Sequence, residues 1–241
     1  AAAPDPQKKA ALDAALATIA RDWPLQRPAP PPLLWRHTLD AARTDALKAL
    51  MLPLRAGTRS WTEVEFGEAD APARPGAPWA PDAEVSLPKS KLRLRGSIDR
   101  LDLNSEGKAR VTDYKTGAFP ARANQALNGA RELQLAVYAA AVRQLAPQAQ
   151  DVAAQLLYLS EPRPKQISLN DIDKSITALD EHAVVALRVL ARGACVAGTD
   201  AFDRFNAFRL ALPAALDSYD QKKSRARSRA LDDLSSVWSA R

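Results

Sequence analysis

The chain contains a single cysteine, Cys195, among its 241 residues. That excludes an intrachain disulfide and any site built from several cysteine ligands, such as a four-thiolate zinc site or an iron–sulfur cluster. No stretch approaches the roughly 18 uninterrupted apolar residues of a transmembrane helix, so the sequence predicts no membrane partner. The G-x-x-x-x-G-K-[ST] motif is absent, so any ATP dependence must come from another segment or from a partner.

The chain does not open with methionine, since its only methionine is Met51, and it lacks the charged and apolar segments of a signal peptide. We therefore expect a fragment of a longer protein, with removal of a leader as the alternative. Basic residues are in surplus: 34 Lys and Arg oppose 28 Asp and Glu, and 46% of the residues are hydrophobic. The apolar content is enough for a folded core, and the basic surplus is compatible with a nucleic-acid partner.

Hydrophobic periodicity divides the chain into helices and strands. It predicts helices over 7–20, 33–52, 130–146, 171–192 and 201–217, and strands over 61–66, 91–103, 108–115 and 152–160. Prolines predict irregular structure over 28–32 and 70–88. The turn sequence NSEG at 104–107 joins two of the strands into an antiparallel hairpin. The alternation of the first strand loses phase near Arg100, as at a bulge or a bend. The order of elements predicts an α/β domain with a mixed central sheet flanked by helices.

Two carboxylates and an amine are predicted to meet at the end of this hairpin. Asp113 and Lys115 share one face of the second strand, and Asp99 lies late in the first. Adjacent carboxylates raise each other's pKa unless a cation neutralises them, and Mg²⁺ takes such oxygen ligands. The set fits metal-assisted phosphodiester hydrolysis, with the ammonium stabilising charge on a phosphate oxygen. The alternative is an ordinary surface Asp–Lys pair, which contributes little.

Three sequence blocks, taken jointly, carry a resemblance: GSIDRLDL (96–103), VTDYKTG (111–117) and QLAVY (134–138). Their order and spacing resemble the RecB-like branch of the PD-(D/E)xK nuclease superfamily. The D-R-x-D and D-Y-K-T-G motifs within them are most similar to the C-terminal nuclease domain of AddB-type helicase–nuclease subunits. WTEVEFG (61–67) and VAAQLLYLSEP (152–162) look like flanking strands of that family. The resemblance implies a restriction-endonuclease-like core over 55–162, an N-terminal helical arm over 1–54, and a C-terminal helical extension with a basic tail over 163–241.

The resemblance also implies roles for individual residues. Asp99, Asp113, the backbone carbonyl of Tyr114 and, as a weaker candidate, Glu63 would hold the metal, while Lys115, Gln134 and Tyr138 would complete the catalytic set. Gln134 and Tyr138 lie one helical turn apart and so share a face. Ordinary helix surface is the alternative for these two, and simple solvation is the alternative for Glu63 and for its neighbour on the same face, Glu65.

Two groups of basic residues are candidates for DNA contacts. The strand-borne group is Arg93, Arg95 and Arg100, and the C-terminal group is Lys222, Lys223, Arg225, Arg227 and Arg229. A solvated strand edge and a solvated tail are the respective alternatives, because charge runs are often only solvated.

The sequence departs from the family at two places. Many relatives have a metal-binding histidine in a G-x-x-x-H setting, but no glycine precedes Gly57, and His37 and His182 are interpreted as ordinary polar residues, so the family histidine would lie upstream. Many relatives also hold a four-cysteine iron–sulfur cluster, which one cysteine cannot form, so we expect a colourless, iron-free chain.

The resemblance thus implies a Mg²⁺- or Mn²⁺-dependent deoxyribonuclease of the bacterial cytoplasm that acts on DNA ends or single strands. Its expected role is recombination and break repair with a helicase domain or subunit. The alternatives are a non-catalytic, nuclease-like DNA-binding module and, more distantly, a secreted toxin nuclease.

Overall fold

A computed structural model describes residues 6–52, 57–120, 132–194 and 210–239. The helices are α1 (Pro6–Gln26), α2 (Pro32–Leu50), α3 (Gln134–Leu145), α4 (Ile172–Ala191), α5 (Leu216–Leu231) and α6 (Ser235–Ser239). The strands are β1 (Arg59–Phe66), β2 (Val85–Ser86), β3 (Arg93–Leu94), β4 (Gly96–Leu103), β5 (Lys108–Lys115), β6 (Asp151–Tyr158) and β7 (Lys165–Ser168).

Five strands form one mixed sheet in the order β1-β4-β5-β6-β7. The β1–β4, β4–β5 and β6–β7 pairs are antiparallel, whereas β5 and β6 are parallel because α3 lies between them in the chain. Helix α3 packs on β5 and β6 and buries a run of small and apolar residues from Leu135 to Val142. The predicted mixed sheet flanked by helices is therefore confirmed.

The strand predicted over 91–103 is divided in two. Segment β3 pairs with β2, while β4 begins at Gly96 and pairs with β1 and β5. The prediction that 70–88 is irregular throughout is consequently wrong at Val85, which is fully buried with Leu87 beside the core. Burial of these apolar side chains compensates for the short ladder.

The N-terminal helices form a hairpin outside the sheet. Helix α1 runs six residues beyond its predicted end, and Trp23 packs against Trp35 of α2 with ring centroids 6.1 Å apart. Neither helix contains a buried residue. Proline is tolerated at the start of α2 because the first turn of a helix has no partner for that N–H.

The C-terminal region differs from its prediction in where its last long helix lies. Helix α4 matches the predicted 171–192 and begins at an N-cap, Asp171, whose side chain accepts from the Lys174 N–H at 2.9 Å. Residues 201–209 of the predicted 201–217 helix lie outside the described residues, as does Cys195. The next described helix, α5, starts only after Pro213 and carries the basic run. No helix in the described part of the chain is long and apolar enough to cross a membrane.

Candidate active site

Three carboxylates lie at one level across three neighbouring strands. Thr62 pairs with Arg100 and Val64 with Ile98, so Glu63 of β1 stands across from Asp99 of β4. Arg100 pairs with Thr112 of β5, and one further step along this register sets Asp99 across from Asp113. Side chains at directly opposed positions lie on the same face of a sheet.

A shift in the alternation of β4 turns Asp99 toward α3. Gly96 faces α3, since a Cβ there would lie 3.4 Å from the ring of Tyr138. Leu101 pairs with Val111, which lies on the same face of β5 as Lys115. Positions 96 and 101 would point to opposite faces of a regular strand. The strand therefore shifts phase between them, as predicted, and on β1 the opposing Glu63 adopts a φ of 50°.

A hydrogen bond from the backbone fixes the Asp99 carboxylate beside Asp113. Asp99 Oδ2 accepts from the backbone N–H of Tyr114 at 2.8 Å. The two predicted metal-binding aspartates are thus held on adjacent strands, with the carboxylate of one against the peptide that follows the other.

Lys115 links Asp113 to the first residue of α3. Its Nζ lies 2.8 Å from Asp113 Oδ2 and donates to Gln134 Oε1 at 2.6 Å. The side chain of Asp113 is only 4% exposed, whereas that of Lys115 is 29% exposed. The ammonium therefore stands between a buried carboxylate and the open surface.

Tyr138 forms the inner wall of the site. Its ring meets Phe66 edge-on, with centroids 6.4 Å apart. Burial raises the pKa of Tyr138, the carboxylates of Asp113, Asp99 and, last, Glu63 raise it further, and a hydrogen bond with Gln134 lowers it. One phenol is therefore close to all three carboxylates.

The ionised carboxylate of Asp113 is electrostatically strained although the Lys115 ammonium is in contact with it. Burial raises the pKa of its carboxyl, contact with Lys115 opposes that shift, and the charge of Asp99 adds to it. Its buried Oδ2 touches Lys115 as an ion pair but finds no well-directed hydrogen-bond donor among the described residues. Such a group gains from a divalent cation placed beside Lys115, because an opposite charge favours the ionised carboxylate.

The donor set fits a hard divalent cation with few protein ligands. Nowhere in 6–52, 57–120, 132–194 and 210–239 do three or more His, Cys, Asp or Glu side chains stand where they could hold one ion. Glu63 therefore does not complete a three-carboxylate set with Asp99 and Asp113. Mg²⁺ nevertheless binds through one or two carboxylates and keeps several waters, so these two aspartates and a backbone carbonyl suffice.

Glu63 and Glu65 have different partners in the structure. Ser97 Oγ donates to Glu63 Oε2 at 3.3 Å, on the side of the site. Glu65 instead lies 3.7 Å from Arg74, in the loop that follows β1. Of the two carboxylates that the sequence left open, only Glu63 influences Tyr138.

The strand-borne arginines fall into two classes. Arg100 is 8% exposed, and its guanidinium donates to Asp102 Oδ1 at 2.9 Å and to Tyr114 Oη at 3.3 Å. A buried, paired guanidinium is not free to contact DNA, which corrects the expectation for Arg100. Arg93 and Arg95 are exposed, with side chains 3.7 Å from Glu84 and Glu68.

The C-terminal basic run lies on helix α5. Lys222, Arg225 and Arg229 follow i, i+3, i+7 spacing, so they form one exposed basic stripe. Lys223 and Arg227 lie on another side of the helix, where Arg227 is paired with Asp220.

Sequence reasoning missed Tyr158. It pairs with Lys115 in the β5–β6 register, and its ring meets Phe119 edge-on at 5.2 Å. Burial raises its pKa, and Lys115 and Asp113 are near enough to shift it. Its apolar strand gave no local signal, because proximity to Lys115 depends on the parallel pairing. Neither histidine belongs to this cluster: His37 is exposed on α2, and His182 is half-buried on α4.

A family model described as the PD-(D/E)XK nuclease superfamily matches residues 2–233 of the chain. A search of curated proteins finds no match.

Proposed function

Because the chain belongs to the PD-(D/E)XK nuclease superfamily, we propose that it is a Mg²⁺- or Mn²⁺-dependent deoxyribonuclease that hydrolyses phosphodiester bonds at Asp99, Asp113 and Lys115. One observation carries the proposal: the ammonium of Lys115 bridges Asp113 Oδ2 and Gln134 Oε1 beside a second aspartate, Asp99. A surface Asp–Lys pair would have neither the burial nor the third partner.

The metal would be held by Asp99, Asp113 and the backbone carbonyl of Tyr114, with Glu63 as an outer carboxylate. A divalent ion bound there supplies a Lewis acid for the phosphate and lowers the pKa of a coordinated water. The strained Asp113 is the residue that gains most from such an ion, since burial raises its pKa.

The protein's own groups have separate tasks in this proposal. Lys115 would donate to a non-bridging phosphate oxygen and stabilise the negative charge that develops on it. Gln134 would hold that ammonium in position through its Oε1. Tyr138, packed against Phe66 and close to Gln134, would exclude water from the inner side.

Incubation of the chain with end-labelled linear DNA and with covalently closed circles, with and without Mg²⁺ or Mn²⁺, tests the activity. We expect metal-dependent cleavage that falls at least about a thousandfold in Asp113→Asn, because a metal's Lewis-acid contribution is worth several kcal/mol. Asp151→Asn, at an exposed position at the start of β6, is the matched carboxylate control. If Asp113→Asn cuts like the parent, the site assignment is wrong.

The non-catalytic alternative gives a different result. A nuclease-like module would bind the same DNA without cutting it in either metal, and Asp113→Asn would then change binding alone. The presence of both aspartates and the lysine supports the enzyme, because a degenerate copy usually lacks one of the three.

We further propose that the chain is a RecB-like, AddB-type nuclease domain that acts in recombination and double-strand-break repair in the bacterial cytoplasm, with a helicase domain or subunit supplying ATP-driven movement. The proposed arrangement is a helical arm over 1–54, a nuclease core over 55–162 and a C-terminal helical extension over 163–241. The amino-acid sequences of the DRLD and DYKTG segments support assignment to the RecB-like, AddB-type branch. Co-purification of a helicase with the tagged full-length protein tests it, and a protein that purifies alone and contains no helicase segment contradicts it.

A further inference from the structure

A cavity of about 280 Å³ lies beside the active site, between strand β1 and the proline-rich loop that follows it. Its walls include two indoles, Trp61 and Trp79, four prolines of the loop and the guanidinium of Arg74. We call this space the edge cavity. β1 is the first strand of the sheet, so this side of it has no neighbouring strand in the sheet order.

The two indoles hold the loop at a fixed distance from the strand. Trp61 Nε1 donates to the carbonyl of Gly76 at 2.6 Å, and Trp79 Nε1 donates to the carbonyl of Glu65 at 2.8 Å. Both indoles also pack against the hydrophobic core. The strand wall and the loop wall of the edge cavity are therefore joined by two hydrogen bonds, which fix the distance between them.

The charges in the wall disfavour an anion. Among the described residues that line the edge cavity, Glu63 and Glu65 oppose one cation, Arg74, which lies 3.7 Å from Glu65. The guanidinium of Arg59 lies over the ring of Trp61, 5.2 Å from its centroid. A phosphate would meet a net negative wall, whereas a flat neutral group would find aromatic and proline surfaces with carboxylate acceptors at the rim. A nucleobase has these properties, and aromatic side chains stack on any base. A carboxylate can also accept from an exocyclic amine such as that of cytosine.

Glu63 connects the edge cavity to the catalytic carboxylates. It lines the cavity, stands across from Asp99 in the β1–β4 register, and influences the pKa of Tyr138. Glu63 is thus the residue that the edge cavity shares with the carboxylate cluster.

We propose that the edge cavity binds an unpaired nucleobase of the DNA strand, close to the scissile phosphate. This inference rests on the proposed nuclease function and adds to it a base-binding subsite, which requires single-stranded DNA or a frayed end. A base in a duplex is stacked and paired, so entry into the cavity first requires that it leave the stack. Blunt duplex DNA is then the poorer substrate.

Binding measurements on a cleavage-deficient background test the cavity. The background is Asp113→Asn in EDTA, and the probe is a fluorescein-labelled 12-nucleotide oligo(dC). Trp79→Leu and Trp79→Phe both lose the indole N–H. The difference in oligonucleotide affinity between these two variants therefore measures the contribution of the aromatic ring. We expect about tenfold weaker binding for Trp79→Leu, as for one lost base stack, and less than about threefold for Trp79→Phe.

A set of oligonucleotides with one abasic residue at successive positions completes the test. At one position the abasic probe should bind about tenfold more weakly than the intact probe, and Trp79→Leu should then add no further loss, because ring and base are coupled. The same pair of changes at Trp23, a partly exposed indole on α1, is the control and should alter neither probe. Circular dichroism verifies that each variant is folded.

Independent losses from Trp79→Leu and the abasic residue, or no loss from either, would overturn the proposal. The parent chain, which carries no substitution, can also be tested for cleavage of the abasic series. The KM for cleavage should be higher for the probe that lacks its base at one particular position relative to the cut. An equal KM at all positions would also overturn it. If metal-dependent cleavage persists when these tests fail, the base-binding subsite is wrong but the nuclease function still holds. Failure of the subsite is therefore distinguishable from failure of the nuclease function.

Discussion

Asp99 Oδ2 accepts a hydrogen bond from the backbone N–H of Tyr114 at 2.8 Å. This bond joins β4 to β5 just beyond Arg100–Thr112, the last backbone pair between the two strands. A side chain thus replaces a main-chain acceptor at the level of the active site.

This bond separates two roles of Asp99. Asp99→Asn keeps an oxygen acceptor for Tyr114 but lacks the charge for a metal, so we expect full stability and loss of cleavage. Asp99→Ala loses both, and its free energy of unfolding should fall by about 1 kcal/mol, as for a lost hydrogen bond. Urea denaturation together with the cleavage assay checks both. Equal destabilisation of the two variants would show that the bond does not matter for folding.

The raised pKa of Asp113 predicts that its charge lowers the stability of the metal-free protein. Below the ordinary Asp value near 3.8, both folded and unfolded chains hold the proton. Above it the unfolded chain loses the proton first, so stability falls as the pH rises through the folded pKa. Asp113→Asn cannot titrate. It should match the parent in acid and exceed it at neutral pH by about 0.5–2 kcal/mol, the usual size of such gains.

Thermal unfolding in EDTA across this pH range measures the difference. Addition of Mg²⁺ or Mn²⁺ should raise the Tm of the parent and leave Asp113→Asn unchanged, because only a ligand of the folded state stabilises it. A parent that is the more stable of the two at neutral pH in EDTA would contradict the assigned strain.

Gln134 is expected to act through Lys115. Gln134→Ala removes the acceptor of the 2.6 Å bond and frees the ammonium to move. We expect kcat to fall, by up to about a hundredfold, with little change in KM, because misplacement of a catalytic group affects the chemical step. Gln134→Glu retains an acceptor and should recover most of the rate. A loss in KM alone would instead assign Gln134 to substrate binding.

The basic stripe of α5 predicts a salt-dependent contribution to DNA binding. Replacing Lys222, Arg225 and Arg229 by Ala should reduce the slope of log K against log salt by about 2 on single strands, near 0.7 per phosphate contact. Cleavage at saturating DNA should be unchanged.

The matched control for this variant removes three exposed cations elsewhere, Lys8, Lys9 and Arg36 on α1 and α2. Both triple variants lower the net charge equally, so a smaller slope in the α5 variant alone identifies a contact surface. Equal slopes would mean that the stripe is only solvated.

Much of the fold could be predicted because its signals are local. Strand β5 was predicted at its observed bounds, since alternation and the NSEG turn are properties of adjacent residues. Strand β7, four residues long, and the two-residue β2 gave no such signal, because they exist only through pairing with distant strands. The end of β3 was likewise set by its pairing with β2.

The sequence by itself determined the residue types of the site: two aspartates and a lysine at the end of a hairpin, followed by a glutamine and a tyrosine one turn apart. Tertiary structure alone decided which charged residues share that space. It turned the Asp99 carboxylate toward α3, gave Glu63 and Glu65 different partners, and brought Tyr158 beside Lys115. It also buried Arg100 with Asp102. The reason is physical: alternation assigns a face from neighbours in sequence, whereas burial and charge pairing depend on the strands and helix that pack across it.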